Sequence, residues 1–214
     1  MIPLQRLQGR FVVLEGIDGA GTTTQAEAIG AALTGEGRKV LVTREPSDGP
    51  VGSLARQALV GKLSVSGVRP APSPATMALL FAADRVDHLA AEIIPAMQRG
   101  EIVICDRYLL SSLAYQGAEL PLAWVEQINN QAVLPDLTLF LEVDVQTAAL
   151  RRARRGGAAE LYDSEEKQRR IAKQYLAVIR RRAAKERIVR LDGSLPAAEV
   201  TRLALGAIRK TLEV

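Results

Sequence analysis

A short apolar run, Phe11 to Leu14, is broken at Gly16 and gives way to a helical pattern that starts at Thr23. The break reads Gly16-Ile17-Asp18-Gly19-Ala20-Gly21-Thr22-Thr23 and matches G-x-x-x-x-G-K-[ST] at every fixed position but one. Such a turn needs glycine because successive backbone N–H groups must converge on an anion, with the following helix N-terminus adding a favourable dipole. Residues 16–23 are therefore a candidate polyphosphate-binding segment, and Thr23 stands where a hydroxyl ordinarily ligates Mg²⁺. The departure is Thr22, in place of the lysine that reaches the β- and γ-phosphates. A glycine-rich turn without any ligand is the competing reading.

Lys39 to Thr43 reads as a second strand, Glu101 to Cys105 as a third, Leu137 to Val143 as a fourth and Ile188 to Leu191 as a fifth. Helical spacing marks Thr23 to Leu33, Val51 to Val60, Leu122 to Ala132, Gln146 to Arg154, Glu165 to Ala184 and Pro196 to Leu212. A longer helix is expected from Pro74, tolerated in a first turn, to about Gln98, with Pro95 kinking its end. Residues 61–74 are rich in Gly, Pro and Ser and read as a loop. Apolar strands alternating with helices predict an α/β fold, a parallel five-stranded sheet covered by helices on both faces. Ligands of such folds bind beyond the carboxyl ends of the strands, where the glycine turn lies.

With 214 residues, 48 % of them hydrophobic, the chain is expected to form a single domain, 1–214. One cysteine excludes a disulfide framework and a cysteine-built zinc site. The longest apolar run, Ala75 to Ala83, is half the ~18 residues of a membrane span, and no signal-type leader is read, so a cytoplasmic protein is expected. Arg151 to Arg190 holds 14 Lys and Arg against 5 Asp and Glu, in a chain of net charge +4. That stripe fits a small polyanion or a solvated helix face. Aromatic residues, at 4 %, are too few for the stacking platforms of single-strand binding, and no nucleic-acid partner is expected.

Four further segments narrow the reading. Asp106-Arg107-Tyr108 follows the third strand and runs on through Ser111-Ser112 to Ala114-Tyr115-Gln116. Thr43-Arg44-Glu45-Pro46 follows the second, Leu79-Leu80-Phe81-Ala82-Ala83-Asp84-Arg85 lies in the long helix, and Pro135 to Leu141 enters the fourth strand. With the glycine turn, these segments resemble thymidylate kinase over roughly Arg10 to Leu212, and the Asp-Arg-Tyr segment is far more specific than the turn alone. The resemblance implies a P-loop nucleoside monophosphate kinase fold. It also implies phosphorylation of dTMP to dTDP for dTTP synthesis, with ATP as donor, Mg²⁺ as cofactor, and a homodimer.

The residues themselves ask for fixed cations, because two phosphorylated substrates meeting head to head repel. Arg44 and Arg107 follow strands and are expected to point into the crevice, where a planar guanidinium binds phosphate bidentately; a surface ion pair is the competing role. By resemblance, both contact the acceptor monophosphate, Phe81 stacks on thymine and Arg85 hydrogen-bonds a ring carbonyl. Tyr115 and Gln116 resemble the remaining base and sugar contacts, and Asp18 the carboxylate on the sugar hydroxyl. Spacing puts Phe81 and Arg85 on one helical face, yet by itself it would leave Phe81 in the core. Glu45 is expected to orient Arg44 or water near the metal. Asp106 is expected to organise magnesium, or else to N-cap the next helix.

Arg151, Arg152, Arg154 and Arg155 run into Gly156-Gly157 and resemble an arginine-bearing lid, here about 151–163, that continues through Glu160-Leu161-Tyr162-Asp163. Gly19 stands where other members of the family carry an arginine, which favours a lid-supplied cation. Asp106, Arg107 and these four arginines are the catalytic candidates. Thr22 leaves three readings open: compensation by the lid, a slow enzyme, or a nucleotide-binding homologue without turnover. A kinase for UMP or CMP is the nearer alternative. His88 reads as a surface or interface residue, Cys105 as a small buried hydrophobe and Trp124 as a packing or interface residue.

Overall fold

The computed structural model describes residues 8–64, 71–156, 161–162 and 164–212, the side chain of Arg155 excepted. Strands β1 (Arg10–Glu15), β2 (Val40–Arg44), β3 (Ile102–Asp106), β4 (Leu137–Glu142) and β5 (Ile188–Asp192) form one parallel sheet in the order β2-β3-β1-β4-β5. β1 and β3 are covered on both faces, so their apolar runs are continuous; β2, at an edge, leaves Val42 exposed.

Nine α-helices are described: α1 (Thr22–Gly35), α2 (Pro50–Leu59), α3 (Pro74–His88), α4 (Ile94–Gln98), α5 (Leu109–Tyr115), α6 (Leu122–Ile128), α7 (Val145–Arg155), α8 (Glu165–Arg182) and α9 (Ala197–Leu212). The β1-to-β2 and β3-to-β4 connections step in opposite directions along the sheet. Right-handed crossovers then place their helices on opposite faces, and the chain diverges at the carboxyl ends of β1 and β3. Register brings those ends together: Leu14 lies beside Asp106, and the Arg107 N–H donates to the Leu14 carbonyl at 2.8 Å. Among the described residues no helix is long and apolar enough to cross a membrane.

Local structure corrects the expected elements in three places. The helix from Pro74 does not run uniformly to Gln98, because a π turn, Leu89–Ile93, intervenes ahead of Pro95. Proline has no N–H for the carbonyl four residues back, and the wider turn removes the clash its ring would make there. The helix expected to reach Ala132 stops at Ile128, where Asn129 turns back to donate to the Val125 carbonyl at 2.9 Å and to accept from Arg85. Helix α5 has no amphipathic signature of its own in the local pattern. Its first turn is held by a strand residue: the Glu15 carboxylate accepts from the Tyr108 and Ser111 N–H groups at 3.0 and 3.1 Å. Asp106 therefore does not N-cap α5.

Candidate active site

A cleft of about 650 Å³ opens at the carboxyl ends of β1, β2 and β3. Arg44 reaches it from the last position of β2, and Asp18, Glu45 and Arg107 from the loops that follow these strands. Phe81 and Arg85 line it from α3, and Tyr115 and Gln116 from the end of α5. Phe81 is half-buried at this surface, so the purely core role is excluded.

Arg107 is the only non-glycine described residue with positive φ, 69°. That conformation costs about 1–2 kcal/mol and persists because the side chain is held on several sides. It donates to the Gly16 carbonyl at 2.9 Å, to Asp18 Oδ1 at 2.7 Å and to the Tyr115 hydroxyl at 3.2 Å. Burial disfavours its charge, but the carboxylates of Asp18 and Asp106 work against that and the guanidinium stays protonated. The second oxygen of Asp18 accepts from Gln168 Nε2 at 2.7 Å, and the same nitrogen lies 3.0 Å from the Tyr162 carbonyl. Gln168 sits 150 residues from Asp18 in the chain, and nothing in the sequence pattern distinguished it.

Arg85 lines the cleft from a buried position, 2 % exposed. Its guanidinium donates to Ser112 Oγ at 3.1 Å, Glu45 Oε2 at 2.6 Å and the Tyr108 carbonyl at 3.0 Å, and also to Asn129; its buried Nε has no protein partner. Glu45 thus holds Arg85, whereas Arg44 pairs at the exposed rim with Asp48, 2.9 Å away. The expectation that Glu45 orients Arg44 is corrected: neighbouring residues at a strand end point to opposite faces. Behind Glu45 lies His88, also 2 % exposed, which corrects its reading as a surface residue. Gln116 is buried with its Oε1 unpartnered, and Trp124 packs partly buried against the core.

Thr23 donates its hydroxyl hydrogen to Asp106 Oδ2, while Asp106 Oδ1 is buried without a partner. A free carboxylate oxygen beside a hydroxyl, next to a phosphate-type loop, fits Mg²⁺, which takes few protein oxygens and completes its shell with phosphates and water. Among the described residues there is no group of three His, Cys, Asp or Glu side chains that could cage a metal. The oxygens available therefore suit an ion that shares its shell with a polyphosphate.

Helix α7 lies directly on the glycine loop. A Cβ at Gly19, where φ is +90°, would fall 2.4 Å from the Ala148 carbonyl oxygen, so packing as well as conformation excludes a side chain there. Arg151 Nη1 donates to the Gly193 carbonyl at 2.8 Å and lies 3.4 Å from the Ala20 carbonyl, and Arg152 Nη1 donates to the Asp18 carbonyl at 2.5 Å. Arg154 is exposed. The Arg155 side chain, Gly157 to Glu160 and Asp163 lie outside the described residues, so this part of the expected lid is not placed. A second cleft of about 540 Å³ borders the other side of the glycine loop, between Gln25, Arg151 and Leu195. Thr22 is buried in the first turn of α1.

Two further buried groups adjoin the site. The carboxyl of Glu15, already engaged by α5, also accepts from Ser111 Oγ at 2.6 Å and the Tyr175 hydroxyl at 3.0 Å; burial raises its pKa against those bonds. Burial likewise keeps the Cys105 thiol well above its ordinary pKa, with Glu45 and Asp106 adding to the effect.

Two clefts that share one glycine loop can bring two phosphorylated ligands together end to end. A parallel sheet ordered β2-β3-β1-β4-β5, with that loop on its central strand, has the P-loop nucleoside monophosphate kinase fold. Comparison with known proteins narrows the class. The family model described as Thymidylate kinase matches residues 14–204. A probable thymidylate kinase of Pyrococcus abyssi is 44 % identical over 171 residues, covering 79 % of this chain and 82 % of that protein. Thymidylate kinases of Leifsonia xyli and Pelotomaculum thermopropionicum are 39 % and 38 % identical, over 93 % and 86 % of each chain. The chain belongs to the thymidylate kinase family.

Proposed function

We propose that this protein transfers the γ-phosphoryl group of ATP to dTMP, giving ADP and dTDP for dTTP synthesis, by direct in-line displacement. The observation that carries the reading is convergence: eight side chains scattered from Asp18 to Gln116 line one cleft beside the glycine loop. In this reading Arg107 and Arg44 bind the acceptor phosphate, Asp18 meets the sugar hydroxyl, and Phe81 and Arg85 take the thymine face and edge. Tyr115 and Gln116 close the sugar and base side. The backbone of residues 16–23 cradles the donor phosphates, and the second cleft takes the donor base. Thr23 and Asp106 would hold Mg²⁺, which when bound offsets phosphate charge.

Thr22 removes a cation that commonly serves the transition state, a loss on the order of a hundredfold or more in rate. Arg151 and Arg152 already donate to carbonyls of the glycine loop, which supports compensation from the arginine-bearing segment that starts there, including Arg154 and Arg155. The second reading, a nucleotide-binding homologue without turnover, rests on Thr22 alone. Exposed Leu54 on α2 and exposed Leu79 and Val86 on α3 support a homodimer through these helices, and a cytoplasmic setting goes with that reading.

The deciding experiment is coupled ADP release from ATP and Mg²⁺ with dTMP, UMP or CMP as acceptor, with Thr22→Lys assayed alongside. Turnover selective for dTMP is expected, and Thr22→Lys is expected to change kcat by less than about tenfold. Nucleotide binding without ADP release, or a gain above about a hundredfold in Thr22→Lys, would overturn compensation in favour of a silenced homologue.

A further inference from the structure

His88 is the one histidine of the chain, and its side chain is 1 % exposed. It ends α3, one turn beyond Arg85. Its Nε2 lies 2.8 Å from Thr43 Oγ1 and 2.9 Å from Glu92 Oε2, and Thr43 Oγ1 lies 2.9 Å from that same carboxylate oxygen. A carboxylate only accepts, so the single hydroxyl proton of Thr43 goes to Glu92, and Nε2 carries the hydrogen that points at the pair. The other ring nitrogen, Nδ1, faces Glu45 Oε1 at 3.5 Å. Both of these atoms are buried without a hydrogen-bond partner. A neutral ring protonated at Nε2 would set a lone pair against a carboxylate oxygen. An imidazolium places an N–H there instead and turns that repulsion into a charge–charge attraction across 3.5 Å.

The charge balance points the same way. Glu45 faces the ring from the loop after β2, and Glu92 from the next helical turn. Arg85 holds the far oxygen of Glu45, and Asp84 on the same helix is engaged by Ser47. Asp48 lies at the rim with Arg44 and Arg56, and Cys105 behind Glu45 stays a neutral thiol. Buried Glu45 is matched by the Arg85 guanidinium on one oxygen only, and Glu92, 43 % exposed, adds a second carboxylate at the ring, so an imidazolium between them is favoured. Burial alone would pull the His88 pKa down, but Glu45 and Glu92 outweigh it and leave it above the ordinary 6.5.

We propose that His88 is a positioning residue for the acceptor base: as an imidazolium it holds Glu45, and through Glu45 it holds Arg85 against the cleft. What Arg85 recognises rests on the dTMP reading above; the charge of His88 does not.

With any affinity tag removed, the single histidine gives one Cε1–H resonance in proton NMR. Its midpoint is expected above 6.5 and is expected to fall in Glu45→Gln. A midpoint at or below 6.5 overturns the imidazolium. Calorimetry with thymidine, which carries no phosphate to titrate, then reads the positioning role. Affinity is expected to weaken about threefold to tenfold as the pH rises through the His88 midpoint, and that step is expected to vanish in His88→Gln, whose KM for dTMP rises with little change in kcat. Should His88→Gln fail to fold, Glu92→Gln, altered at a partly exposed carboxylate, is expected to move the NMR midpoint and the affinity step down together. Thymidine affinity that stays flat through the midpoint, in protein that turns over dTMP, overturns the positioning role. Absence of thymidine binding overturns the positioning role, absence of dTMP turnover as well overturns the acceptor reading, and the NMR midpoint still decides the charge.

Discussion

Arg107 and Asp18 form a 2.7 Å ion pair that ties the loop after β3 to the glycine loop after β1. The pair lies where the cleft meets the glycine loop, the point at which the proposed donor and acceptor would meet. Lysine at 107 would keep the charge and lose the planar fork, and it would adopt the same left-handed backbone at the same cost. Arg107→Lys is therefore expected to fold normally by circular dichroism and to lose about 10²–10³ in kcat/KM for dTMP. A loss under about threefold would remove Arg107 from the acceptor phosphate.

Gly19 is where α7 touches the glycine loop. Gly19→Ala meets both the +90° φ and the Ala148 carbonyl. We expect it to cost about 2 kcal/mol or more, a fall of about 4–8 °C in Tm, together with a raised KM for ATP. Gly206→Ala is the contrast, since a Cβ there meets nothing within 4 Å inside helix α9. It is expected to stabilise the protein by about 0.5–1 kcal/mol. Thermal denaturation of the two variants side by side checks both signs.

Asp106 and Thr23 predict the metal response. Chelation is expected to abolish turnover and added Mg²⁺ to restore it. Asp106→Asn removes the carboxylate charge and is expected to raise the Mg²⁺ concentration for half-maximal rate by about tenfold or more. Thr23→Ser keeps the hydroxyl and is expected to stay near wild type, whereas Thr23→Val is expected to behave like Asp106→Asn. Magnesium titrations of the steady-state rate check this, and an unshifted Asp106→Asn would place the ion elsewhere.

The five strands and their order along the chain were legible because a parallel strand buried on both faces must be apolar throughout, and glycine and polar residues mark its ends. The glycine loop was legible for a related reason, since it draws on backbone conformation that few other residues adopt. The family motifs pointed to eight residues that the structure gathers in one cleft. Helix α5 was not legible, because a seven-residue segment forms there only with Glu15 from β1 at its first turn. Gln168 and Asn129 were not legible either, since each is one polar residue among other polar neighbours, the first on α8 and the second just past the end of α6.

By itself, the sequence determined what depends on near neighbours: strand and helix periods, the glycine turn, the pairing of Phe81 with Arg85 on one face, and the absence of a lysine at position 22. Only the tertiary structure decided which partner each buried charge has. Glu45 could not be assigned to Arg85 rather than to adjacent Arg44, nor His88 to Glu45, until the sheet order set β2 beside α3. Glu15 acquired its role only when β1 met α5. The reason is physical: secondary structure follows from contacts a few residues apart, whereas a buried charge is tolerable only beside a compensating group, and crossovers bring that group from anywhere in the chain.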